Sequence, residues 1–511
     1  MTNLAARLRP GAAAGAVIAL LSACSVREVV VGGGGGGGLP GGAYAFRMGG
    51  PTADEGRQVV RTADGGAVIV GDFTGTVDFD PSTRMLTRAA VGGPDAFVAR
   101  FDSAGALAWA TALGGPGNDV AHSVAVAPDG RVVVVGAAAQ GFQCVGGITV
   151  GTVSGPRDAF ITVLAADGRC ERTVFIGGAG SDEARAVALG AAGDLFLTGT
   201  YQGPADFDPT AAEVLLQPHV ASDPSDVFVA RYGLDATLRW AVPLAGRGTD
   251  QAWALRYDDV QQVVLAGTYS DTLDANPTAA QQLLVTAGGT DVWVASLTGS
   301  GVLRWAERMG GTANDLMSPH ALSVSATREV FVGGQFAGTM TLGTIVGLPP
   351  VVSGGGSDGF VVRISSNGLA ASGFAIGGTG EDAVLAVQAQ TGGALLVAGD
   401  FQGTVDFSRG LASRVLTATS PNLSSGADLY TARYSGAGVM QWAERLRPGT
   451  VPAVRPTASV SADASTFWIG GRFSGSLNAD PGTGVATLTA AGSTDVMLAR
   501  YSSDNGAIIR R

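Results

Sequence analysis

Apolar and polar residues alternate along this chain in short runs closed by glycine, and the runs return in one order seven times. In residues 111–175 an apolar run ends in Gly114-Gly115. Asp119 follows, and the stretch from Val120 to Val126 alternates up to a turn at Asp129-Gly130. A β-branched run, Val132 to Val135, closes at Gly136; after a variable insertion a further run opens at Asp158. The closing glycine recurs as Gly71, Gly136, Gly199, Gly267, Gly334, Gly399 and Gly471. The opening aspartate recurs as Asp95, Asp158, Asp226, Asp291, Asp358, Asp428 and Asp495. Both return every 63 to 72 residues, which makes seven copies of one unit.

Twelve residues before the closing glycine stand Val59, Val124, Val187, Leu255, Leu322 and Val387, most of them preceded by a small residue. A period of two belongs to a strand, so this is the first strand of each unit. In the seventh copy Ser459 holds that place and Val460 follows. Its first strand has either lost a residue from the following turn or packs less tightly. Asp64-Gly65 and Asp129-Gly130 supply the positive φ of a hairpin turn. The second strand is apolar on both faces, so it is expected to be buried between neighbours. The third reads Asp95-Ala-Phe-Val-Ala-Arg-Phe101, and the fourth carries Trp109, Trp240, Trp305 and Trp442.

Four antiparallel strands in each of seven units predict an all-β chain folded as a seven-bladed β-propeller, whose radial closure removes long exposed edges. Tyr44 to Gly50 copies the fourth-strand pattern of Trp109 to Gly115, and the chain stops where another copy would begin. An N-terminal strand is therefore expected to complete the last blade. The competing solenoid would want polar caps, and neither end is polar. The pattern of strand, Asp-Gly and strand after a Gly-rich turn resembles bacterial SBBP propeller repeats and, more distantly, NHL propellers, over nearly all of residues 43–511. That resemblance implies the fold and is nearly silent on activity, because propellers carry binders, scaffolds and enzymes alike. The seventh copy departs from the pattern in its first strand.

Composition narrows the surroundings. The formal net charge is −11, every basic side chain is arginine, and no basic stripe runs along the chain. A nucleic-acid partner is therefore not expected. Within residues 1–23, Arg7 and Arg9 precede the apolar run from Gly11 to Leu21, the make-up of a secretory signal. Leu21-Ser22-Ala23-Cys24 resembles the lipobox of bacterial lipoproteins, which implies cleavage before Cys24 and lipid on its sulfur. An ordinary signal peptide with a chance cysteine is the competing reading. Ser25, rather than Asp, implies an outer-membrane destination. Residues 24–42, with seven glycines from Gly32 to Gly38, form a flexible tether reaching about 25 Å.

Candidate chemistry gathers on one face. If the first strand is innermost, the loops between blades and the second-to-third connections share a top rim. The loops bring Asp54, Asp119, Asp182, Asp250, Asp315 and Asp382; the seventh has Pro452 and Ala453 instead. The motif Val77-Asp-Phe-Asp-Pro81 recurs at Ala205 to Pro209. Its paired carboxylates, Asp78 with Asp80 and Asp206 with Asp208, are hard oxygen ligands suited to Ca²⁺. The competing reading, favoured by their repetition, is that each fixes its own turn.

The position fourteen before the closing glycine varies: Arg57, His122, Arg185, Trp253, His320, Leu385, and Thr457 or, with a shift, Ala458. Seven copies would ring the channel mouth and line a pocket for an anionic or sugar-like group, with Arg clamping and Trp stacking. A polar rim facing water is the alternative. Cys144 and Cys170 fall in the second unit, where an oxidising compartment allows a disulfide worth roughly 3–4 kcal/mol; two buried thiols are the alternative. No zinc-protease, serine-hydrolase or paired-cysteine motif occurs. The expectation is a monomeric, lipid-anchored envelope module whose top face binds a protein or glycan. A pure assembly scaffold comes second, and a calcium-dependent glycan hydrolase or lyase third.

Overall fold

The computed structural model describes residues 44–510, apart from 83, 144–145, 191–192, 211, 221–224, 259–261, 279, 344–347, 409–413, 420–425 and 450–455. The signal segment, Cys24, the glycine tether, Cys144 and the Pro452 loop lie outside the described residues.

The chain is all-β. In the first unit, strands Glu55–Arg61, Ala67–Phe73, Asp95–Phe101 and Leu107–Leu113 pair antiparallel in that order. The same order starts again at Asp119–Val126, Glu183–Leu189, Asp250–Tyr257, Leu316–Val324 and Ala383–Ala389. The seventh unit begins at Ser459–Ala462 and takes its outer strand from the far end of the chain: Ala45–Met48 pairs with Asp495–Ser502, Ala45 opposite Ala499. Second strands are the most deeply buried, as in Val132–Ala138, where every residue is buried. Each such valine contributes roughly 1.5–3 kcal/mol.

Seven hydrophobic cores lie between units rather than within them. Val68 and Val98 of the first unit pack with Val124, Val132 and Phe160 of the second. The set closes where Trp468, Val496 and Leu498 of the seventh unit pack with Val59, Ile69 and Phe97 of the first. Consecutive first strands touch, and that of the seventh unit touches that of the first. No sheet closes on itself through strand pairing. The inner edge would leave N–H groups unpaired, and side chains from the preceding unit accept them. Gln58 Oε1 takes the Val124 N–H at 2.7 Å, Ser123 Oγ that of Val187 at 3.2 Å, and Ser459 Oγ that of Val59 at 2.8 Å.

The Gly-rich ends of the fourth strands are joints. The second-to-third connection of each following unit docks there, with Gly178 opposite Ala205, Gly246 opposite Leu273 and Gly311 opposite Met340. A Cβ at any of these three glycines would overlap the carbonyl oxygens of Pro204, Thr272 or Thr339. Register in the seventh unit is resolved as well. Val460 opposes Ile469 as Val59 opposes Ile69, so the intervening turn is one residue shorter.

Candidate functional site

The variable position is a β-bulge. In the first unit Gly56 pairs with Gly71 and Gln58 with Val70, which leaves Arg57 unopposed. The same step falls at His122, Arg185, Trp253 and Leu385. In the fifth unit pairing jumps from Met317 opposite Gly334 to Leu322 opposite Val332, so Ser318, Pro319 and His320 lie inside a longer bulge. Proline is tolerated there because the bulged backbone has no ladder partner to satisfy. Close approach of the first strand explains the closing glycine: the carbonyls of Glu55, Val120 and Glu183, and of Thr457 in the seventh unit, stand where a Cβ of Gly71, Gly136, Gly199 or Gly471 would be. The seventh unit has no such bulge. Its Thr457 donates its backbone N–H to the Arg472 carbonyl at 3.3 Å, the place Glu55 holds against Asp72. Thr457 is thus the counterpart of Glu55, not of Arg57, a correction that follows from the missing bulge residue.

These bulges converge. Arg57, His122, Arg185, Trp253, His320 and Leu385 line one pocket, open to solvent, together with Glu55, Gly56, Ser318, Pro319, Thr457 and Ala458. The arginines are not waiting free. Arg57 Nε donates to Asp72 Oδ1 at 2.8 Å and its Nη2 to Glu55 Oε2 at 3.0 Å, while Arg472 reaches Glu55 Oε1 at 2.8 Å. Glu183 is the second hub. Arg157 Nη1 and Arg185 Nη2 each approach it to 2.7 Å, and His122 Nε2 stands at 3.4 Å. Arg185 lies over the Trp253 ring, 4.3 Å from its centroid, so the expected stacking face already carries a guanidinium. Trp253 Nε1 donates to Thr268 Oγ1 at 3.0 Å.

Electrostatics follow from this crowding. Burial opposes the charge on Glu183, but His122, Arg185 and Arg157 outweigh it and hold the carboxyl well below its usual range. Burial lowers His122 to about 4 and His320 to about 3, so both rings are neutral at pH 7. Glu55, in the pocket lining, and Glu183, which pairs Arg185, were not singled out in the sequence, although each stands two positions before a ring arginine. Arg256, on the same strand as Trp253, carried no sequence signal at all.

The acidic sets have another role. Asp54 takes the Gly50 N–H at 2.7 Å and the Thr74 N–H at 3.1 Å. Asp182 and Asp382 repeat this with Gly178 and Gln202, and with Gly378 and Gln402. Burial raises Asp54, Asp182 and Asp382 to about 7, and Asp119 and Asp315 to about 6. Asp78 Oδ1 accepts the N–H groups of Asp80 and Leu86, and Asp206 Oδ1 those of Asp208 and Val214. Asp80 and Asp208 then take Ser82 and Thr210. Asn478, a neutral amide, does the same with Asp480 and Ala486. An acceptor is therefore what the turn needs, and a charge is not. Among the described residues no group of three or more His, Cys, Asp or Glu side chains is placed to hold a metal. Cys170 is disulfide-bonded, and neither Cys24 nor Cys144 is among the described residues.

No family model matches the chain. Over 500 residues the chain is 27% identical to the Regulatory protein FlaEY of Caulobacter vibrioides, covering 92% of this chain and 48% of that protein. It thus spans about half that relative's length. Among solved structures, a protein of unknown function from Dyadobacter fermentans aligns with 90% of this chain and 99% of its own, at 10% identity and a TM-score of 0.35. A DUF4221 family member from Bacteroides vulgatus aligns with 70% of this chain and 91% of its own, at 9% identity and a TM-score of 0.29.

Proposed function

We propose that this chain is a seven-bladed β-propeller that acts by binding, with the mouth of its central channel as the ligand site. Cores shared in cyclic order, and side-chain hydrogen bonds running from the seventh unit to the first, support a ring. The observation that carries the binding role is the bulge: a position whose chemistry varies among the repeats is the one every bulged unit turns into the pocket. Bulges of this kind re-aim a side chain at a site. The printed name of the half-covered relative, a regulatory protein, suits a domain that works through binding.

The setting we propose is the bacterial envelope, with lipid at Cys24 as anchor and the mouth presented to a protein or glycan. A disulfide at Cys170 fits an oxidising compartment. The repeat pattern is in keeping with SBBP-type propellers. A second reading, an assembly scaffold, is favoured by one feature: Glu55 and Glu183 already pair the ring arginines. A glycan array and an array of envelope-protein peptides, probed with the mature chain and with an Arg57→Ala, Arg185→Ala double variant, separate the two. The binding role predicts at least one signal that the double variant loses while remaining folded by circular dichroism. Identical signals from both proteins would move the site elsewhere, and no signal from either would favour the scaffold.

A further inference from the structure

Resting on the reading of the mouth as a binding site, we infer that the group it takes from its ligand is an organic carboxylate with an apolar body beside it, not a neutral sugar and not a phosphate. The pocket has two sectors. Units one to three supply Arg57, His122 and Arg185 with their partners, whereas units four to six supply Trp253, Pro319 and Leu385. A ligand filling both sectors is charged at one end and apolar at the other.

The sign of that charge follows from the ion pairs. Four guanidinium groups, Arg57, Arg157, Arg185 and Arg472, face three carboxylates, Glu55, Asp72 and Glu183. Arg256 adds a fifth cation. Its hydrogen bond goes to the Leu255 carbonyl at 2.9 Å, and it has no ion pair among the described residues. Its charge, with that of Arg57, acts on the His320 ring. The excess is one or two positive charges, which matches a monoanion. Two nitrogens of the charged sector, Arg185 Nε and His122 Nε2, are buried with no hydrogen-bond partner, as is the Glu183 Oε2 beside them. A buried N–H of this kind lacks an acceptor that a ligand oxygen would supply.

The same census argues against the alternatives. A sugar needs free hydroxyl partners and an open aromatic face. Ser318 Oγ is spent on the Val384 carbonyl at 2.6 Å, Thr457 Oγ1 points to the Gly56 carbonyl at 3.5 Å, and Trp253 carries Arg185. A phosphate would leave the apolar sector uncovered.

Isothermal titration of the mature chain with hydrocinnamate, its neutral amide, inorganic phosphate and N-acetylglucosamine tests this. Peptides ending in phenylalanine, with a free or an amidated C-terminus, tell a free acid from a chain terminus as the source of the same chemistry. The expected result is binding of hydrocinnamate or the free-acid peptide, with the matching amide roughly tenfold weaker, the loss of one ion pair. Arg256→Met, which leaves every ion pair of the mouth intact, is expected to weaken the acid and not the amide. Arg185→Gln, checked for folding by its melting temperature, is expected to abolish the difference between them. Equal binding of acid and amide, or binding of none of the probes, overturns the inference. N-acetylglucosamine or phosphate bound alone, and lost in the Arg57→Ala, Arg185→Ala variant, overturns the ligand class while leaving the mouth as the site.

Discussion

Glycine at the closing position is an imprint of the first-strand carbonyl packed against it. At Gly199 a Cβ would overlap the Glu183 carbonyl and crowd Ala184, both backbone, so nothing flexible gives way. Gly199→Ala is therefore expected to lower stability by about 3 kcal/mol, read from urea unfolding. It is also expected to shift Glu183 and so disturb the mouth. The second residue-scale prediction separates charge from hydrogen bonding. Because Asn478 holds its turn with an amide, Asp78→Asn is expected to change stability by less than about 0.5 kcal/mol. Asp78→Ala, which orphans the Asp80 and Leu86 N–H groups, is expected to cost about 1–2 kcal/mol. A large loss in the Asn variant would mean that the charge matters, as for a metal ligand.

At the scale of elements, each joint between units buries carboxylates. Asp54 faces Asp495 and Asp72, and Asp382 faces Asp358 and Asp400; of these, Asp495 is paired by Arg47. Desolvation raises the loop aspartates to about 6 or 7. A group whose folded pKa is raised keeps its full contribution below its unfolded value, near 4. That contribution is lost as pH climbs through the folded value. Melting temperature is thus expected to fall from pH 5 to pH 8, with a shallower slope in Asp382→Asn. A rising slope would contradict these protonation states. Glu183, with its depressed pKa, acts the other way only at pH below about 4. The disulfide belongs to this scale too. Peptide mapping without reduction is expected to join Cys170 to Cys144 in the second unit.

Joints of another kind run along the opposite rim. Trp109 donates Nε1 to the Ala166 carbonyl at 2.9 Å, Trp240 to that of Gly299 at 3.2 Å, and Trp442 to that of Ser503 at 3.1 Å. In each case a fourth-strand tryptophan latches onto the third-to-fourth turn of the next unit, and Gly168, Gly301 and Gly506 lie against the rings. The tryptophans stood out in the sequence as strand markers. Their partners, some sixty residues away, did not.

For the whole molecule, the N-terminal strand ties the first residues described to the last unit. Deleting residues 43–50 would strip Ala45–Met48 from Asp495–Ser502 and expose that edge, and would remove Met48 from the core between the last and first units. The truncated chain is expected to lose cooperative unfolding and to elute as aggregates in size-exclusion chromatography. A monomer with unchanged melting would show the clasp to be dispensable.

Strand count, strand order and unit length were legible because they are local. A two-residue alternation and a turn glycine act on their own few neighbours, and seven repetitions average out the noise. The variable position was legible too, as the place where repetition fails. Unseen were the bulge that turns it inward, Glu55 and Glu183 neutralising its arginines, and Arg185 occupying the face of Trp253. The carboxylates stand only two residues from their arginines, but the bulge that brings them together depends on pairing with the next strand, and Arg185 meets Trp253 from the neighbouring unit. Periodicity along the chain therefore determined the unit and its seven copies. What stands opposite what in the pocket was decided by the packing of unit on unit, since burial and Coulomb forces act through space.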